Sequence, residues 1–213
     1  MIRIKLGKLK RKLKANKTLK DKAFIALYSI KFEDGDIAID CGANVGNVSQ
    51  YLCNSGATVY AFEPNPHAYD ILEKKLSKYK NAHCYNKAVN DHNSVSKLYL
   101  HVNSNSDEVM WSTGSSLLQY KKNVNNNKYI ETEVIDLIKF IENLQKPIKL
   151  LKLDVEGVEH IILKKLINNN LHKQIEHIFV ETHEDQADEL LSETKHLQQL
   201  IASLNITNIN LNW

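Results

Sequence analysis

The sequence predicts an α/β fold, a doubly wound and mostly parallel sheet, with a basic helical segment at its N-terminus. Three observations predict it. Short apolar runs suited to buried strands alternate with helical stretches in both halves of the chain. A turn with an acid and two glycines directly follows the first of those runs. The run Ile148 to Leu153 is almost wholly apolar, as a strand covered on both faces is. Strands separated by helices imply right-handed crossovers, parallel pairing and helices on both faces of the sheet.

Taken in order, Ile2, Leu6, Leu9 and Leu13 fall at helical spacing and predict an amphipathic helix. A second helix over Lys20 to Ile30 completes a basic segment, residues 1–30, ahead of a domain over 31–213. After the turn Glu33-Asp34-Gly35-Asp36, Ile37 to Ile39 is a strand and Asn47 to Cys53 a helix. Thr58 to Phe62 is a strand, Pro66 to Tyr79 a helix, and Ala82 to Val89 a third strand. Lys97 to Val102 alternates as an antiparallel or edge strand does. Asn103 to Asn127 is polar and loop-like, with Asn123 to Asn127 as an exposed turn. The rhythm resumes with helices over Ile135 to Leu144, Val158 to Ile167 and Ala187 to Leu204. Strands at Ile148 to Leu153, Ile175 to Val180 and Ile206 to Leu211 lie between and after them.

At 213 residues the chain suffices for one sizeable core, and 43% hydrophobic with 25% charged residues excludes wholesale disorder. Cys41, Cys53 and Cys84 form no C-x-x-C pair, which argues against a zinc site or a disulfide frame. No apolar run approaches the roughly 18 residues of a membrane span. The N-terminus has charges throughout and no apolar core of a secretory signal. The expected location is cytoplasmic, and the oligomeric state is left open. Met1 to Lys22 carries ten Lys/Arg against one acid, so within an overall +3 the rest of the chain is net −6. Such a segment can attract nucleic acid, an anionic membrane surface or an acidic partner, although a solvated cationic helix is the plainer reading.

The most informative stretch is Asp40-Cys41-Gly42-Ala43-Asn44-Val45-Gly46. Glycines in a strand-to-helix turn let backbone approach a ligand and aim helix N–H groups at it. Ligands of open α/β sheets bind beyond the carboxyl ends of the strands, where the strand order reverses. A dinucleotide loop would place G-x-G-x-x-G around a pyrophosphate. Here Gly42 and Gly46 stand four apart and the leading acid, Asp40, suits a cationic amino-acid end instead. Some twenty residues on, the second strand ends in Phe62-Glu63-Pro64, and Glu63 can accept hydrogen bonds from both ribose hydroxyls. An amino acid joined to adenosine, without phosphate, is S-adenosyl-L-methionine. The cofactor set is therefore Asp40, Gly42, Ala43, Asn44, Gly46 and Glu63.

Further segments are Lys87-Ala88-Val89-Asn90-Asp91, Leu151-Lys152-Leu153-Asp154-Val155-Glu156-Gly157-Val158-Glu159 and Val180-Glu181-Thr182-His183. Together with the Asp40 loop and Phe62 to Pro66, they resemble the FkbM family of S-adenosylmethionine-dependent methyltransferases. The resemblance spans roughly Asp36 to His183. It implies a Rossmann-like class I methyltransferase fold, with Ala88 among the cofactor residues. It also implies O-methylation of a saccharide or other small-molecule acceptor.

Asp154 ends an apolar strand, Glu156 follows at i+2, and Glu159 opens a helix. Glu181 and His183 share a face by the period of two at the next strand's end. Asp154, His183, Glu181 and Glu156, in that order, are the catalytic candidates. A hydroxyl needs a base during methyl transfer, and His or a carboxylate can serve. The same set can instead hold a divalent cation such as Mg²⁺, and the sequence does not separate the two. At Glu156 and Glu159 the competing reading is helix N-terminal charge, favoured for Glu159. Ser115 and Ser116 are candidates to line the acceptor pocket, against ordinary loop chemistry. Trp111 and Trp213 stand too far apart in sequence to be expected in one cage. Three other readings compete: an RNA methyltransferase using the basic segment, a non-catalytic cofactor-fold module, and an NAD oxidoreductase. The glycine spacing disfavours the last.

Overall fold

The computed structural model describes residues 22–107 and 109–213. The amphipathic helix predicted over Ile2 to Leu13 lies outside them. The described residues form two sheets. The larger has six strands in the order β3-β2-β1-β7-β8-β9, every neighbouring pair parallel. These strands are β1 (Ile37–Cys41), β2 (Thr58–Phe62), β3 (Ala82–Tyr85), β7 (Ile148–Leu153), β8 (Ile175–Val180) and β9 (Ile209–Asn210). Strand order reverses at β1, which has β2 on one side and β7 on the other. This is the doubly wound α/β arrangement the alternating pattern predicts.

Helix α1 (22–28) leads into β1, and its Ala23 and Leu27 are buried in the core. Helices α2 (Asn47–Asn54) and α3 (Pro66–Leu76) follow β1 and β2. Asn65 caps α3 by accepting from the His67 and Ala68 N–H groups, with Pro66 at the first turn where its missing donor costs nothing. Helices α4 (Leu137–Leu144), α5 (Glu159–Asn168) and α6 (Asp188–Ser203) serve the other half. The core divides into two clusters, one under α4 and α5 around Ile39, Leu151 and Leu163, the other under α1–α3 around Leu52, Val59 and Leu72. Their separation is the period of two: Ile39 and Ala38 of β1 face opposite sides.

The smaller sheet, β4-β6-β5, departs from the sequence reading. The predicted strand Ala82 to Val89 is two strands, β3 and β4 (Ala88–Asn90), in different sheets. The predicted turn Asn123 to Asn127 instead runs into β6 (Val124–Asp136), antiparallel to β5 (Ser94–His101). Ile135 and Asp136, read as helical, end that strand, and Asp136 caps α4. Partner strands override the turn preference of Asn, because strand propensity is mostly a matter of what the residue packs against. The chain between β5 and β6 crosses the carboxyl edge of the large sheet. Cys41, Cys53 and Cys84 are all free thiols. Among the described residues no helix is long and apolar enough to cross a membrane.

Candidate active site

Sheet register assembles the site. Phe62, Cys41, Leu153 and Val180 are lateral partners across β2, β1, β7 and β8. The residue after each is therefore Glu63, Gly42, Asp154 or Glu181, four neighbours along one carboxyl edge. Backbone bonds hold the row: Gly42 N donates to Phe62 O at 2.9 Å, and Asp154 N to Cys41 O at 3.1 Å. Glu181 N donates to Leu153 O at 2.9 Å. Gly42 has φ +77°, and a Cβ there would stand 1.8 Å from the Asp154 carbonyl oxygen, so glycine alone permits this approach.

A cavity above this edge is lined by Gly42, Asn44, Glu63, Ala88, Asp154 and Glu156, with an apolar wall of Phe62, Val89, Leu98 and Leu117. Ala43 and Gly46 shape the turn behind it. Glu63 is buried, with Oε2 accepting from Asn44 N and Oε1 from Asn65 N, each at 2.8 Å. Burial pushes its carboxyl up to about 7, although those two N–H groups oppose the rise. Asp40 does not line the cavity. It is fully buried beneath the loop, its Oδ2 accepting from Ser49 Oγ at 2.6 Å and its Oδ1 lying 3.2 Å from Lys152 Nζ.

Of the two lysines in β7, Lys149 pairs with Glu176 near the surface, whereas Lys152 is buried, and the sequence reading passed over it. Its buried ammonium also lies 3.3 Å from Asp154 Oδ2 and donates to Gly42 O at 3.2 Å. Burial alone would pull its pKa down, but Asp40 and Asp154 together hold it above the ordinary lysine range. One cation thus ties the loop, β1 and β7 together. An acid before the glycines, with a lysine at the opposite position of β7, was the legible signal.

His183 reaches Glu156 Oε2 at 3.2 Å and Asp154 Oδ1 at 3.7 Å through Nε2, and Glu159 Oε1 at 3.1 Å through Nδ1. Burial would lower its pKa, yet Glu159 and Glu156 push it up to about 11, so it is an imidazolium at neutral pH. Glu156 is held down at about 2, where His183 and Lys121 overcome the burial that would raise it. Asp154 is raised, chiefly by burial and further by Glu181 and Glu156, against Lys152 and His183. The cluster therefore sorts its groups into one weakly basic carboxylate, one cation and one carboxylate of raised basicity. Asp154, Glu156 and His183 also offer ligand atoms within 4.8 Å of one another.

The chain between β5 and β6 closes the site from above. Ser112 Oγ accepts from Asn44 Nδ2 at 2.8 Å, and Ser116 Oγ donates to the Glu156 carbonyl at 2.6 Å. Lys121, its ammonium fully buried, pairs with the Glu156 carboxylate. These ties hold Glu156 at φ +60°, a left-handed position a non-glycine residue rarely takes. Ser115 Oγ is buried, lines the cavity and has no hydrogen-bond partner among the described residues. Glu159 does more than favour a helix N-terminus. Its oxygens accept from Val155 N and Gly157 N while it holds His183.

A second cavity, of about 470 Å³, adjoins the first and shares Thr113, Gly114 and Glu156 with it. Glu181, His183 and both tryptophans, Trp111 and Trp213, line it. Tertiary folding joins the two rings that sequence separation had set apart.

A doubly wound sheet whose strand order reverses at β1, with a row of acids along its carboxyl edge, gives the chain a class I methyltransferase-like fold. The chain matches the Methyltransferase FkbM domain over residues 40–205 and belongs to that family. It is 27% identical over 184 residues to the hexuronic acid methyltransferase AglP of Haloferax volcanii, covering 84% of this chain and 68% of that protein. The fold resembles the crystal structure of a methyltransferase FkbM from Methylobacillus flagellatus KT, with a TM-score of 0.50 and 15% identity. That match covers 80% of this chain, which spans only 39% of the solved one.

Proposed function

We propose that this chain uses S-adenosylmethionine to methylate a hydroxyl of a sugar or other small molecule. The observation that carries the reading is the pair of cavities meeting at Glu156, with Glu63 and Gly42 in one and His183 and Glu181 in the other. The residues present fit the donor. Each Glu63 oxygen keeps a lone pair for a ribose hydroxyl, the apolar wall suits an adenine, and Ser115 Oγ lacks a partner among the described residues. S-adenosylmethionine bound there supplies an electrophilic methyl group on a sulfonium.

Asp154, a carboxylate of raised basicity at the cavity edge, takes the acceptor hydroxyl proton. His183, already protonated, orients Glu156 and balances its charge rather than serving as the base. Lys121 fixes Glu156 from the other side, and the chain between β5 and β6 keeps water from the edge. Calorimetry with S-adenosylhomocysteine and with NAD, followed by labelled-methyl transfer to a sugar panel, tests the assignment. Tight NAD binding without binding of S-adenosylhomocysteine would overturn it.

A further inference from the structure

Resting on that reading, we propose that the second cavity accepts an uncharged or amino-bearing sugar and turns away uronates and other anionic acceptors. Its lining carries Glu156, Glu181, Glu184 and Asp185. Lys121 offsets Glu156, and Glu159 offsets His183, while Glu184 and Asp185 add further negative charge around the space. Among the described residues no lysine or arginine lines it, and Lys122 only approaches the Asp185 main-chain oxygen at 3.5 Å. His101 supplies no charge at neutral pH, because burial lowers its pKa.

A second, independent feature asks for a ligand that brings hydrogen-bond donors. Asn123 Oδ1 is a buried acceptor without a partner among the described residues, on a residue lining this cavity. A hydroxyl or ammonium can donate to it, and an ionised carboxylate cannot. The rings of Trp111 and His101 stack at 4.5 Å with 13° between planes, and Trp213 adds a second indole. Flat aromatic walls accommodate the C–H face of a pyranose and attract a cation over their π-face. A uronate would place its carboxylate among carboxylates at short range, where like charges repel strongly. AglP is named for a hexuronic acid; this cavity argues that the substrate does not transfer to this chain.

The chain has two tryptophans and both line the cavity, so their fluorescence reports its field directly. Quenching of the full chain by iodide, caesium and acrylamide is compared with that of free N-acetyltryptophanamide. The expected result is iodide suppressed and caesium enhanced relative to acrylamide, with the difference reduced in Glu184→Gln/Asp185→Asn. Iodide quenching at or above the reference ratio would overturn the proposal. Labelled-methyl transfer to methyl glucoside, methyl glucosaminide and glucuronate is the second arm. Transfer to the first two should exceed that to glucuronate about tenfold or more, as like-charge rejection implies. A preference for glucuronate defeats the inference even if methyl transfer itself is upheld. No transfer to any sugar alongside the expected quenching order counts against the proposed function and leaves the cavity's charge preference standing.

Discussion

Nδ1 of His183 lies 3.1 Å from Oε1 of Glu159, while Nε2 of the same ring faces Glu156. The imidazolium is thus a structural cation between two carboxylates, and its removal leaves Glu159 buried with its charge unanswered. Breaking one side of a buried ion pair typically costs ~3–5 kcal/mol. The sign of the pH dependence follows from the raised pKa. The folded value of about 11 against an ordinary 6.5 gives a stabilisation complete below 6.5. It declines as pH rises toward 11 and is gone above it. Glu156, held at about 2 against 4.5, contributes above 4.5 and loses that contribution as pH falls through 2. Urea unfolding of His183→Gln should show a lower midpoint at pH 7 and a flatter decline between pH 7 and 9.5 than wild type. Parallel pH profiles for the two proteins would show that His183 is not held as an imidazolium.

Gly42 and Gly56 both take positive φ, at +77° and +96°, yet their surroundings differ. A Cβ at Gly42 meets the Asp154 carbonyl oxygen at 1.8 Å, whereas one at Gly56 meets nothing within 4 Å. Gly56→Ala should therefore cost only backbone strain, about 1 kcal/mol, and leave cofactor binding intact. Gly42→Ala adds a backbone collision that pushes β7 away from β1, so it should cost more than ~2 kcal/mol and weaken cofactor binding. Equal losses from the two substitutions in urea melts would show that the close approach of Gly42 to Asp154 carries no weight.

What the sequence disclosed follows the range of the interactions involved. The limits of β2, β7 and β8 were legible to the residue, because each is a short run rich in apolar residues whose apolar end is followed at once by an acid, Glu63, Asp154 or Glu181. The row Glu63, Gly42, Asp154 and Glu181 followed from strand ends in a parallel sheet. Lys152 was passed over because its partner Asp40 is 112 positions away, and only the pairing of β1 with β7 sets the acid and the lysine side by side. Lys121 was hidden because the chain around it has no periodicity, and only the folded excursion brings it onto Glu156. β6 was missed throughout: at its Asn-rich start the local turn signal yields to pairing with β5, its middle was assigned to no element, and its last two residues were read as helix.

Glu63 titrates near neutrality in the unliganded protein, at about 7, since burial disfavours its charged form. A ribose hydroxyl donates best to the ionised carboxylate, so affinity for S-adenosylhomocysteine should climb as pH rises from about 6 to 8. Glu63→Gln should remove that slope, and Glu63→Ala should lose about 1.5–3 kcal/mol of binding from the charge-assisted hydrogen bonds. Calorimetry across the pH range measures both. A pH-independent affinity in wild type, or full affinity in Glu63→Ala, would place the ribose elsewhere.

Asp154 should carry the proton transfer, because it combines raised basicity with a place beside Glu156 and His183, where the two cavities meet. Glu63, also raised, has both oxygens turned to the Asn44 and Asn65 N–H groups. His183 already holds its proton, and Glu156 is too acidic to take one. Asp154→Asn keeps the shape while removing the charge, and Lys152 retains Asp40 at 3.2 Å as its counter-ion. The melting temperature should therefore change little, while turnover falls by the 10²–10⁴-fold typical of a lost general base. Added Mg²⁺ and added EDTA should leave wild-type turnover unaltered if Asp154 acts directly. Loss of wild-type activity in EDTA, restored by Mg²⁺, would make the carboxylate a metal ligand instead, since its oxygens stand within 4.8 Å of Glu156 and His183 ligand atoms. Turnover of Asp154→Asn within a few-fold of wild type would remove Asp154 from the chemistry altogether. A collapse of turnover in His183→Gln but not in Asp154→Asn would transfer the role to the histidine. It would also mean that substrate binding separates His183 from Glu156 and frees its Nε2.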